Sequence, residues 1–154
     1  MKKQLIILST LCLFLFASCS KVSKKDIKVE KAKWEALDAT KYEFDYYPSC
    51  FCGGLEHFPA RLVIENNLIT GFLDISTGEA KVHNSGTLVS DSLPYLAKTI
   101  DDLFELIEDA RADAAELNVT FDSDNGFPTE IDIDLIRNAV DDESYYTAIN
   151  FKQL

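Results

Sequence analysis

Thr99-Ile100-Asp101-Asp102-Leu103-Phe104-Glu105-Leu106-Ile107 is the stretch from which the fold can be worked out. Thr99 is a good helix N-cap, and Asp101 and Asp102 would sit in the first turn beside the positive end of the helix dipole. Ile100, Leu103, Phe104 and Ile107 fall on one stripe, so a helix from Thr99 to about Ala115 is predicted with one face committed to a core. On both sides of it the apolar period drops to two. Downstream, Leu117, Val119 and Phe121 alternate with polar residues, Asn125-Gly126 is a hairpin signal, and Ile131 and Ile133 alternate with Glu130, Asp132 and Asp134. Tyr145 to Phe151 alternates through Thr147 and Ile149. Upstream, Tyr42, Phe44 and Tyr46 alternate with Glu43, Asp45 and Tyr47, until Pro48 ends or bulges the strand. Arg61–Glu65 and Leu68–Ile75 form two more strands around the turn pair Asn66-Asn67. Asp26 to Asp38 reads as a first helix, with Ile27, Trp34 and Leu37 on one side.

The order is therefore α-β-β-β-α-β-β-β. Antiparallel strands with short turns, and helices gathered on one face, define an α+β two-layer sandwich. Trp34, Tyr42, Phe44, Tyr46, Phe104, Phe121, Tyr145 and Phe151 are expected in the core. Tyr47, Phe51, Phe127 and Tyr146 are the candidates for an exposed aromatic patch. Residues 76–98 read as a long loop, expected to be functional or to be partly ordered around Leu93-Pro94-Tyr95-Leu96.

The N-terminus reads as an address. Met1-Lys2-Lys3 is a positive n-region, and the apolar run Leu5–Ala17 is too short to span a bilayer of ~30 Å. It ends Phe16-Ala17-Ser18-Cys19, small residues directly before a cysteine. This resembles the lipobox of bacterial lipoproteins, with Phe16 where Leu is more usual, and the resemblance implies acylation of Cys19. The expected organisation is a signal peptide over 1–18, a tether over 19–25 and one domain over 26–154. That places the protein in the cell envelope, held to a membrane through Cys19. Ser20 resembles the sorting signal for the outer membrane, should the host have two membranes.

Charge is divided along the chain. Ser20–Lys41 holds seven Lys against four acids, a net of +3, whereas Tyr42–Leu154 holds six basic residues against 22 acids, a net of −16. A basic stem favours anionic headgroups, and the acidic domain argues against nucleic-acid partners, which need a basic face.

Three groups of residues could carry chemistry. Cys50-Phe51-Cys52 places two sulfurs on one strand face, and Gly53-Gly54 allows the bend that a disulfide needs. In an oxidising compartment a structural disulfide is the default reading. A metal reading would use Cys50, Cys52 and His57, with His83 a further candidate, and would suit copper or zinc. A thiol-redox reading lacks a visible helix N-terminus or cation beside the pair. Asp122-Ser123-Asp124-Asn125-Gly126 has the composition of a calcium loop without its register. Asp122 or Asp124 could still share a surface cation with Asp141, Asp142 and Glu143 if the two loops converged. No Gly-x-Ser-x-Gly, phosphate-cradling glycine loop or His-Glu-x-x-His is present, so no catalytic residue or cofactor is expected.

Several stretches in order follow one pattern. They are Tyr42-x-Phe44-x-Tyr46 leading to Cys50-x-Cys52, then Thr99 to Ile107, then Asp122 to Gly126-Phe127-Pro128-x-x-Ile131-x-Ile133-Asp134, then Asp141-Asp142-Glu143 with Tyr146. The pattern is similar to the bacterial exported family called domain of unknown function 6174, from about Trp34 to Phe151. That family implies one exported domain and supplies no activity. In topology alone, a duplicated α-β-β-β unit looks like PepSY-like and beta-lactamase-inhibitor-like folds. The reading preferred from sequence is a non-enzymatic module that binds an envelope protein or ligand through the acidic face or the 76–98 loop. The alternatives are a small metal or redox protein using the Cys pair, or an envelope inhibitor or chaperone.

Overall fold

A computed structural model describes residues 22–154. The signal peptide at 1–18 and the lipidation candidate Cys19 lie outside the described residues. The elements are α1 (Lys24–Ala36), β1 (Lys41–Cys50), β2 (Ala60–Glu65), β3 (Leu68–Leu73), α2 (Ile100–Asp113), β4 (Glu116–Phe121), β5 (Pro128–Asp134) and β6 (Glu143–Gln153), with one 3-10 turn at Val89–Asp91. This is the α-β-β-β-α-β-β-β order expected. α1 begins at Lys24, inside the stretch read as tether, because the Ser23 hydroxyl accepts from the Asp26 amide and caps it there. β3 stops at Leu73, short of Ile75, because the Asp74 carboxylate draws the Ser76 and Thr77 amides into a turn.

The strands form one antiparallel sheet in the order β3-β2-β1-β6-β5-β4. Each half of the chain makes a three-stranded meander, and the two meanders meet where β1 pairs with β6. Asn66 and Asn67, both in the left-handed region at φ 51° and 59°, close the tight β2–β3 turn.

Both helices pack on one face. Ile27 and Trp34 of α1 are buried there, as are Ile100, Leu103, Phe104 and Ile107 of α2. Burial of each large apolar side chain contributes about 1.5–3 kcal/mol, so this packing outweighs any intrinsic helix propensity. At α2 the Thr99 side chain accepts from the Asp102 amide while the Asp102 carboxylate accepts from the Thr99 amide, a complete capping box. The Trp34 Nε1 donates to Asp101 at 2.9 Å, tying α1 to the first turn of α2. Its ring stands edge-on to Tyr42 and Phe151.

The aromatic expectations need three corrections. Tyr145 is 48% exposed, whereas Phe127 and Tyr146 are buried at 3% and 8%. In β6 the inward residues are Tyr146 and Ala148, which pair with Ile131 and Tyr46. Strict alternation would then send Phe151 outward. It instead packs against Trp34 and Phe127, because the register slips between Glu43 and Asp45 and the chain inserts an extra residue. Asn150, at φ 56°, stands in the inserted stretch.

The helices leave the β2–β3 side of the face to the long loop. Val89 and Leu96 are buried in the same core, and the Tyr46 hydroxyl donates to the Leu96 carbonyl at 3.0 Å. The loop is thus the missing part of the second layer.

Candidate functional site

The 74–92 segment is built rung by rung. Asp74 Oδ1 accepts from the Ser76 and Thr77 amides and from the Ser76 hydroxyl, with the amides at 2.9 and 3.0 Å. The Ser76 hydroxyl leads these bonds in holding the Asp74 carboxyl down to about 2. Beyond the turn, Ala80 bridges Leu73, and the Lys81 amide donates to the Phe72 carbonyl at 2.8 Å, so the chain adds a short rung beside β3. Val82 bridges Leu88, and the His83 amide donates to Thr87 at 2.8 Å, closing a small hairpin around Gly86, which sits at φ 84°.

The facing wall is the 55–59 turn. Phe58 plugs it into the core between Tyr46 and Phe72, with ring centroids at 5.7 and 5.3 Å. The Lys81 ammonium donates to the His57 and Pro59 carbonyls at 3.0 and 2.7 Å, and so staples the two walls together. Between them lies a concavity of about 680 Å³ lined by Glu56, His57, Val82, His83, Ser85 and Thr87. His57 and His83 meet inside it, ring centroids 4.7 Å apart and planes at 89°. The His83 Nε2 is buried with no hydrogen-bond partner among the described residues. Glu56, Asp74 and Glu79 line an adjoining hollow of about 450 Å³ against His57 and Lys81.

The other sequence candidates fall elsewhere. Cys50 and Cys52 are a close pair at disulfide distance, Cα atoms 5.2 Å apart, at the end of β1. Tyr95 closes over the turn that follows, its hydroxyl donating to the Gly53 carbonyl at 2.8 Å. No group of three or more His, Cys, Asp or Glu that could hold a metal occurs among the described residues, so Cys50, Cys52 and His57 do not assemble. The histidine turns to His83 instead.

The proposed sharing of a cation between the two acidic loops also fails. Asp122 and Asp124 lie in the β4–β5 turn, and Asp141, Asp142 and Glu143 in the β5–β6 connection. Successive turns of a meander sit at opposite ends of the strand between them. β5 has seven residues, which at a strand's rise is about 20 Å. The first loop is occupied in packing: Asp122 accepts from the Asp124 and Asn125 amides, and Lys33 of α1 donates to the Ser123 carbonyl at 3.3 Å.

A third cluster gave no signal in the sequence. Asp45 is 1% exposed on the sheet face away from the helices. It accepts from Arg61 Nε at 2.7 Å and Nη2 at 3.2 Å, and from Asn150 Nδ2 at 2.9 Å. Burial alone would raise its pKa, but the Arg61 and Asn150 hydrogen bonds and the Arg61 charge outweigh that and hold the carboxyl below its usual value. The Asp45 carboxylate is satisfied within the trio, which makes the cluster a device that ties β1, β2 and β6 together.

Fold and site together define an α+β domain with one antiparallel sheet and a loop-walled pocket carrying a histidine pair. The chain belongs to the family of unknown function DUF6174, whose model matches residues 26–153. No curated protein and no solved structure matches it.

Proposed function

We propose that the protein is a lipid-anchored, non-enzymatic binding module of the cell envelope, held to the membrane through Cys19 and binding its ligand or envelope partner in the concavity between the 55–59 turn and the 82–88 hairpin. The observation that carries this reading is the order of the long loop. It is hydrogen-bonded along its length and buries Val89 and Leu96, so it presents a walled, polar-lined hollow in place of a flexible connection. Cys50 and Cys52, joined as a disulfide, pin the turn at the neighbouring end of β1. The experiment is a fractionation with crosslinking in intact cells. Cys19→Ala moves the protein to the soluble fraction, and a photocrosslinker at Val82 captures a partner that one at Lys152 does not. Membrane retention of Cys19→Ala overturns the anchor, and equal capture from both positions overturns the concavity.

A further inference from the structure

We propose that His57 and His83 together form a binding site for a borderline divalent transition-metal ion, of the Zn²⁺ and Cu²⁺ class. The proposal rests on reading the concavity as the binding surface and names what it takes first.

The spacing of the two rings is one that two imidazoles sharing an ion adopt. With metal–nitrogen bonds of about 2.0 Å and a ring centre roughly 1 Å further out, two histidines on one ion place their centroids about 4.5–5 Å apart. The observed 4.7 Å falls in that range. Edge-to-face packing gives the same spacing, so the assignment turns on the ring nitrogen and the charge around the pair, which Lys81 holds together across 26 positions of chain. The His83 Nε2 adds an independent sign. A buried ring nitrogen without a partner is unfavourable, and a metal ion bound at the pair would satisfy it.

Charge and donor type select the ion. Imidazole suits zinc, copper and nickel, with Cu²⁺ the tightest, whereas Mg²⁺ and Ca²⁺ require oxygen ligands. Glu56 lines the same hollow, and Asp74 and Glu79 line the adjoining one, so a divalent charge enters a field of its opposite sign. Lys81 is the cation on this wall, and it is engaged with the His57 and Pro59 carbonyls and, at 4.0 Å, with Asp74. The Cys pair offers no thiolate to compete while its sulfurs are joined. Two protein nitrogens leave the remaining coordination positions open to water or to a donor on the bound partner.

The test is metal titration of the full-length, detergent-solubilised protein, stripped by chelator and dialysed. Zn²⁺ and Cu²⁺ are followed separately by calorimetry and Mg²⁺ serves as a control. The expected result is one ion per chain, no response to Mg²⁺, and at least a tenfold loss of affinity in His57→Gln and in His83→Gln. Cys50→Ser/Cys52→Ser binds as the wild type does. Far- and near-UV circular dichroism must overlay for the histidine variants; if one unfolds, Val82→Trp, which crowds the hollow without removing a donor, replaces it and must weaken binding. Absence of Zn²⁺ and Cu²⁺ binding, or binding that survives loss of either histidine, overturns the proposal. So does binding that vanishes only with the Cys variant. None of these outcomes touches the fractionation of Cys19→Ala or the capture of a partner at Val82.

Discussion

Arg61→Met isolates the energetic meaning of the buried carboxylate in β1. The substitution keeps much of the apolar stem of Arg61 and removes the guanidinium, so Asp45 stays 1% exposed with only the Asn150 amide as a donor. Breaking a buried ion pair by deleting one partner costs about 3–5 kcal/mol. Arg61 has 29% of its side chain exposed, so water reaches the cut end and the expected loss is about 3 kcal/mol, at the low end of that span. With a urea m-value of roughly 1.5 kcal/mol per molar, the midpoint falls by about 2 M. Asp45→Asn keeps the shape and drops the charge, and costs about 1–2 kcal/mol. The double variant Asp45→Asn/Arg61→Met is more stable than the sum of the two losses, since neither half is left charged and alone. The pH dependence carries the sign. The folded pKa of Asp45 lies below the unfolded value of 3.8, so its contribution is complete above that pH and is lost as pH falls through the folded pKa. The gap between wild type and Arg61→Met therefore narrows below about pH 4. Urea unfolding at pH 7 and pH 3, followed by Trp34 fluorescence, measures both quantities. An Arg61→Met loss under about 0.5 kcal/mol, or a gap unchanged between the two pH values, refutes the reasoning.

Two further outcomes follow from the backbone. Gly126 sits at φ 79°, and a Cβ there would run into the Glu30 carbonyl oxygen and lie 2.8 Å from the Lys33 Cβ, so Gly126→Ala costs about 3 kcal/mol by prising α1 off the hairpin. Gly78→Ala, at φ 74° but with open space around it, costs about 1 kcal/mol, and equal losses by thermal melting would sink the packing argument. Cys50→Ser/Cys52→Ser costs about 1–2 kcal/mol, because so short a ring restrains the unfolded chain little. Mass spectrometry after alkylation of the native, unreduced protein finds no free thiol at either position; two alkylated cysteines would contradict the pairing.

Local chemistry explains what could be read in the sequence and what could not. Thr99 and Asp102 lie three residues apart and make their capping box wherever the helix sits, so α2 was legible, as were the Asn66-Asn67 turn and the inward Ile131 and Ile133. Tyr145 and Phe151 were both read as inward because period two carries no notice of an extra residue, and the bulge around Asn150 separates their faces. The Asp45–Arg61–Asn150 trio depends on which strands pair and in what register, which no window on one strand contains. The same holds for the histidines. Both were named as metal candidates, but with the Cys pair, and only the folding of 74–92 onto β3 makes them each other's neighbours.

The meeting of β1 with β6 has a temporal consequence. A chain that emerges N-terminus first, from a ribosome or through any pore, displays Tyr42, Phe44 and Tyr46 long before the strand that completes their sheet exists. Until Glu143–Gln153 arrives, β1 is an open edge, and the first meander can add strands from any other chain as readily as its own. Closure waits for β6, which follows the five other strands in the chain, and it happens at the centre of the sheet. A chain cut off before Glu143 therefore loses a central strand, and β1 and β5 are left as two sticky borders.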